Sequence, residues 1–125
     1  MADNKKLDIT LLYVEDDPET REEIAHFLKN KVSNLYTAEN GKEGLEQYKQ
    51  HKPTIIVTDI KMPIMNGLDM AREIKHIDKS VLIIITTAYN DTDLLIDCID
   101  IGVNQFVLKP IILDKLTESI EKLLN

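Results

Sequence analysis

The stretch "IIVTDIKMP", residues 55–63, decides how this chain is read. A run suited to a fully buried strand ends on a carboxylate, Asp59, and a proline soon follows. A short, continuously apolar segment marks a strand covered on both faces, as in parallel sheets. An acid at such a strand end gains meaning only from what stands at the ends of the other strands.

Working outward, four further segments read as strands. "ITLLYV" (9–14) is of the buried type, and "SNLYTA" (33–38) is more polar and expected at an edge. The third strand is "TIIVTD" (54–59). "VLIIITT" (81–87) is the most apolar and expected to be central, and "NQFVLKP" (104–110) is a short last strand. Helical patterns alternate with them. "EDDPETREEIAHFLKN" offers Asp17 as cap, Pro18 at the first helical position and Glu19, Glu22 and Glu23 toward the positive end of the helix dipole. Ile24, Phe27 and Leu28 form its inner stripe. "ENGKEGLEQYKQ" turns at Gly41 and puts Leu45 and Tyr48 on one face. "LDMAREIKHI" carries Met70, Ile74 and Ile77 at helical spacing. "NDTDLLIDCIDIG" is a helix closed by Gly102. "ILDKLTESIEKLL" turns Leu113, Leu116, Ile120 and Leu123/Leu124 inward. Leu94, Leu95 and Ile96 crowd the fourth helix. They form either an exposed partner or dimer patch or a wide buried stripe.

Five strands alternating with five helices, joined by right-handed crossovers, give an α/β fold: a parallel sheet covered on both faces. The expected strand order is the flavodoxin-like 2-1-3-4-5, in a three-layer (βα)5 sandwich. The 125 residues suit one domain, 1–125, with 43% hydrophobic and 30% charged residues. A net charge of −7 argues against direct nucleic-acid binding, which needs clustered cations. Cys98 is the single cysteine, expected as a buried small hydrophobe; it excludes an internal disulfide and a CxxC metal site. The start "MADNKKLDIT" has no apolar signal core, and no apolar run approaches the ~20 residues of a membrane span. The expectation is a cytoplasmic protein without membrane contact.

In such sheets ligands sit outside the carboxyl ends of the strands. There the sequence places Glu15, Asp16 and Asp17 after the first strand and Asp59 after the third. Thr87 and Ala88 follow the fourth, and Lys109 and Pro110 the fifth. The first and third strands should be neighbours, about 4.8 Å apart, so their acids converge. The fifth lies about 10 Å from the third, a gap only a long side chain such as Lys109 can close. Thr87 is expected beside Asp59 on the intervening strand. Two carboxylates 4 Å apart repel by about 4 kcal/mol at a surface-like dielectric. Lys109 offsets one charge, and a divalent cation would offset two more. Oxygen-only ligands in an open cleft suit Mg²⁺ rather than zinc. A metal with free positions, a hydroxyl and a fixed ammonium suits handling of a phosphoryl group.

"YVEDD", "TDIKMPIMNG", "TTAY" and "FVLKPI", in this order and spacing, resemble the receiver domain of two-component response regulators, chemotaxis regulators included. The resemblance runs from about Leu7 to Leu124. The resemblance implies that Asp59 accepts a phosphoryl group as a carboxylate nucleophile. It implies that Asp16, Asp59 and the Lys61 carbonyl ligate Mg²⁺, with Glu15 acting through a metal-bound water. Lys109 would pair with Asp59 and then with phosphoryl oxygens, which Thr87 and the Ala88 N–H would also bind. Lys109–Pro110 would be a cis peptide. In the implied switch Thr87 moves toward the phosphoryl group and Phe106 turns inward. The face of the fourth helix, fifth strand and fifth helix then changes for a partner, and the same face is a candidate dimer surface. Lys61 and Tyr89 would flank the path of the hydrolytic water and shield the phosphoryl group, implying slow self-dephosphorylation.

The implied partners are a sensor histidine kinase or histidine phosphotransfer protein upstream, and a protein target or fused output domain downstream. Such a chain is no enzyme beyond its own phosphorylation and dephosphorylation. The rival reading is a Mg²⁺-dependent haloacid-dehalogenase-like phosphatase. That family carries a second acid two residues past its nucleophile, where this chain has Lys61, and it needs room for a cap. A flavodoxin-type carrier is disfavoured by the acidic first loop. A purely binding pseudo-receiver is disfavoured by the intact Asp16, Asp59, Thr87 and Lys109. His26, His51 and His76 share no spacing and read as surface residues.

Overall fold

The computed structural model describes residues 6–88 and 92–125. Five parallel strands pair in the order β2-β1-β3-β4-β5. They are β1 (Leu7–Val14), β2 (Val32–Ala38), β3 (Ile55–Asp59), β4 (Leu82–Thr87) and β5 (Gln105–Leu108). The helices are α1 (Pro18–Leu28), α2 (Gly41–His51), α3 (Gly67–Ile77), α4 (Leu95–Ile101) and α5 (Leu113–Leu124). Among the described residues no helix is long and apolar enough to cross a membrane.

Period-two alternation in the strands divides the interior into two layers. Leu12, Val14, Ile56, Ile83 and Ile85 pack with Leu45 and Tyr48 of α2, Met70 and Ile74 of α3 and Cys98 of α4. Leu11, Tyr13, Ile55, Val57, Ile84 and Val107 pack with Ile24 and Leu28 of α1 and Leu116 and Ile120 of α5. Successive residues of β1, β3 and β4 therefore serve opposite layers, which is why these strands read as unbroken apolar runs. Each such side chain contributes about 1.5–3 kcal/mol by leaving water.

Three helices start on a side-chain cap. Asp17 accepts from the Thr20 N–H at 2.9 Å, and Asn40 from the Glu43 N–H at 2.8 Å. Asn66 accepts from the Asp69 N–H at 2.8 Å. Neither α4 nor α5 has a side-chain cap; Leu94 and Ile112 occupy those places.

Several expectations need correction. The central strand is β3; β4 lies one place off centre, apolar because both its edges and both its faces are covered. Gly41 begins α2 rather than making a turn before it, because Asn40 already caps the helix. The fourth helix is shorter than its pattern: Thr92–Leu94 is a 3-10 turn and α4 spans only seven residues. Ile77, Leu113 and Leu124, each at a helix end, are substantially exposed. Of the crowded trio, Leu94 packs inward while Leu95 and Ile96 are exposed, and Ile99 joins them outside. That resolves the alternative in favour of a patch. Cys98 and Tyr13 are fully buried, whereas Phe106 stays 38% exposed. His26 and His76 are exposed, while His51 stacks on Tyr36 with ring centroids 3.6 Å apart.

Candidate functional site

The carboxyl ends of β1 and β3 lie side by side, with Val14 in register with Thr58. Glu15 follows β1, its backbone fixed on both sides: its N–H donates to the Ala38 carbonyl (3.0 Å) and its carbonyl accepts from Arg21 Nη1 (2.8 Å). Its carboxylate is directed inward, and only 1% of the residue is exposed. Oε2 accepts from the Asp17 N–H at 3.1 Å. Asp16 is exposed at the rim. Asp59 ends β3; its Oδ1 accepts from the Ile60 N–H at 2.7 Å, so the chain's own turn orients the carboxylate.

Lys109 arrives from beyond β5. Its N–H donates to the Thr87 carbonyl at 2.9 Å, holding the strand ends together, and Lys109–Pro110 is cis. Its Nζ lies 2.6 Å from Asp59 Oδ2 and 3.4 Å from Glu15 Oε1. Burial pushes the ammonium's pKa down, but hydrogen bonds and the charges of Asp59 and Glu15 outweigh it and raise it above the ordinary lysine value. Burial raises the Glu15 carboxyl, and the Asp59 charge adds to this; the Asp17 N–H and Lys109 oppose. One carboxylate oxygen from each of Glu15, Asp16 and Asp59 falls within 4.8 Å of the other two. That spacing fits one divalent ion with oxygen ligands.

Two glycines let backbone approach the loop after Asp59 closely. The Gly67 N–H donates to the Ile60 carbonyl at 2.8 Å, and a methyl group on Gly67 would collide with the Asp59 carbonyl oxygen. The Gly41 N–H donates to the Met65 carbonyl at 2.8 Å, and a methyl there would meet that same oxygen. Lys61 stands exposed on this loop, and Ile64 takes a positive φ of 70°. For a β-branched residue that is strained backbone.

One expectation about the site shifts. Asp59 is in register with Thr86, and Thr87 lies one step further along β4. Because the pleat alternates, Thr86 shares a sheet face with Asp59, while Thr87, 6% exposed, sits at the strand tip beside Ala88. Tyr89 lies outside the described residues. Three participants had not been singled out: Arg21, through its bond to the Glu15 carbonyl; Gly41, under the loop; and Thr86. Arg21 had a signal, as a lone cation in an acidic first turn. Thr86 was legible only through register.

With this geometry in place, the chain matches the family model described as the response regulator receiver domain over residues 11–121. It belongs to the response regulator receiver family. The chemotaxis protein CheY of Bacillus subtilis is 38% identical over 116 residues, covering 92% of this chain and 97% of that protein. Two solved relatives, each 26% identical, share the fold. In the CheX-CheY-BeF3-Mg²⁺ complex from Borrelia burgdorferi the match has a TM-score of 0.85 and covers 100% of this chain and 95% of that one. In the complex of the Saccharomyces cerevisiae histidine phosphotransfer protein Ypd1 with the receiver domain of Ssk1, the TM-score is 0.83, with 93% and 88% covered. Receiver domains are phosphorylation-activated signalling switches and broadly not enzymes. Nothing supports the phosphatase alternative.

Proposed function

We propose that Asp59 is the phospho-acceptor of a two-component relay, served by Lys109, Thr87, Ala88 and a Mg²⁺ ion. The observation that carries this is the joint engagement of Asp59 and Glu15 by one ammonium, beside an oxygen triad spaced for one ion. An Asp59 oxygen attacks phosphorus on a phosphohistidine donor; the P–O bond forms, the P–N bond breaks, and the imidazole leaves with the electron pair. The product is an acyl phosphate on Asp59. Glu15, Asp16, Asp59 and the Lys61 carbonyl would hold Mg²⁺, which when bound offsets charge on the acids and on the transferring group. Lys109 follows the charge from carboxylate to phosphoryl oxygen. Thr87 and the Ala88 N–H receive other phosphoryl oxygens, and Phe106, partly exposed on β5, turns into the space that Thr87 leaves.

The signal then passes through the α4-β5-α5 face, where Ile96, Ile99, Phe106, Leu108 and Ile112 are exposed. That face takes a protein target, or a second copy, or a fused output domain, and no nucleic acid. The donor is a histidine kinase or phosphotransfer protein; the similarity to the Ssk1 receiver complex with Ypd1 supports the latter kind. We place this single domain, 1–125, in the cytoplasm. Lys61 and Tyr89 shield the phosphoryl group from water.

Incubation with Mg²⁺ and acetyl phosphate tests the reading. Intact mass rises by one phosphoryl group in the native chain and not in Asp59→Asn. Uptake by Asp59→Asn equal to the native chain's would overturn the assignment.

A further inference from the structure

Arg21 stands in the first turn of α1, which starts at Pro18. A cation there faces the positive end of the helix dipole, a placement that costs stability locally. Its neighbours Glu19, Glu22 and Glu23 follow the dipole rule, and Arg21 breaks it. A local rule broken in this way calls for a compensating contact elsewhere. That contact is with the acid-bearing turn between β1 and α1. Arg21 Nη1 donates to the Glu15 carbonyl at 2.8 Å and comes within 3.5 Å of the Asp16 carbonyl. The side chain is only 22% exposed, and its Nη2 lies 4.0 Å from Glu39 Oε2, just past the end of β2. From the other side, the Glu15 N–H donates to the Ala38 carbonyl of β2 at 3.0 Å. With its N–H and its carbonyl both engaged, Glu15 has little backbone freedom left. Rotation there would swing the Glu15 and Asp16 carboxylates, which each bring an oxygen within 4.8 Å of Asp59. Charge and position make opposite demands on this residue. As a charge alone, a guanidinium repels a divalent cation and weakens its binding. As a brace behind two of the ligands, it strengthens that binding.

We propose that Arg21 is a positioning residue for the divalent-ion site. Through the Glu15 and Asp16 carbonyls it holds the two carboxylates of the first loop toward Asp59. The bracing outweighs the repulsion. Arg21 itself touches neither the ion nor the phosphoryl group.

The proposal rests on Glu15, Asp16 and Asp59 being the Mg²⁺ ligands, and the test separates the two. Calorimetric Mg²⁺ titration compares the native chain with Arg21→Gln and Arg21→Lys, and urea unfolding in chelator is measured beside it. Glutamine has no charge and too short a stem to reach the carbonyls. Lysine keeps the charge and one donor nitrogen but loses the planar fork. Arg21→Gln should weaken Mg²⁺ binding by about tenfold, the scale of residues that orient metal ligands, although it removes a repelling charge. Arg21→Lys should fall between the two. Uptake from acetyl phosphate should follow the same order at low Mg²⁺ and converge at saturating Mg²⁺. Binding by Arg21→Gln as tight as the native chain's, or tighter, overturns the positioning role and leaves the metal reading in place. A lowered urea midpoint with unchanged Mg²⁺ affinity does the same, being the mark of a purely structural arginine. If Arg21→Gln does not fold, Arg21→Lys decides: affinity equal to the native chain's overturns the role. A native chain that binds no Mg²⁺ overturns the metal reading, and this proposal with it.

Discussion

Lys109 Nζ lies 2.6 Å from Asp59 Oδ2, fifty residues away in sequence, and reaches 3.4 Å from Glu15 Oε1 as well. One ammonium from beyond the edge strand thus joins acids borne by two neighbouring inner strands, β1 and β3. It stands where a divalent ion would also act on the same charges. The lysine and a bound ion would share the work of neutralising this cluster.

Removing that ammonium leaves two poorly hydrated carboxylates facing each other. Lys109→Met should lower metal-free stability by about 1–3 kcal/mol. It should also tighten Mg²⁺ binding, since the ion no longer competes with a fixed cation. Urea unfolding in chelator and calorimetric Mg²⁺ titration measure the two effects; weaker Mg²⁺ binding would contradict the shared-neutralisation account.

Glu15 sets a pH dependence. Its folded pKa is raised, chiefly by burial, so the folded chain binds this proton more readily than the unfolded chain. Stability from this group is therefore greatest below the ordinary glutamate value and declines as pH rises through the raised folded value. In chelator at about pH 7, Glu15→Gln should raise the urea midpoint, and the gain should vanish on acidification below the glutamate range. The same change should weaken Mg²⁺ binding. A midpoint lowered at neutral pH would refute the sign.

Gly67→Ala tests the loop. The added methyl has to push against the Asp59 backbone carbonyl, which no rotamer can relieve. The expected loss is about 1–3 kcal/mol by overpacking, with phosphoryl uptake falling alongside. Denaturant curves and acetyl phosphate kinetics report both.

Phe106→Trp makes the switch visible, because the chain has no tryptophan. The ring at this position is partly exposed. Phosphorylation should shift emission to the blue as the indole leaves water. Emission unchanged on phosphorylation, with uptake verified by mass, would remove the inward turn.

Shortening Lys61 and Tyr89 to alanine should hasten loss of the phosphoryl group. Decay is followed by mass after the donor is removed. Equal half-lives in the native and doubly substituted chains would dismiss shielding.

What could be read in advance followed from physics acting over short sequence distances. The runs 9–14 and 81–87 announced buried parallel strands because both their faces are covered, and Asp17 with Pro18 announced a helix start that the structure keeps. Asp59 and Lys109 could be matched because strand ends are the only places such residues converge in this topology. Register was the gap. A one-residue step decides whether Thr86 or Thr87 faces Asp59's side of the sheet, and no local signal in "TTAY" carries that step. Likewise the exposure of Ile77 and Leu124, at the ends of their helices, is a matter of tertiary placement rather than helical period.

The caps divide the molecule unevenly. Helices α1, α2 and α3 are each pinned at their first turn by an Asp or Asn side chain, and α4 and α5 are not. Each missing clasp forgoes about 1 kcal/mol. The last two helices should therefore open more often, and their amides should exchange with deuterium sooner. A chain built this way keeps a stiff half around its acids and reserves its looser half for remodelling against another surface.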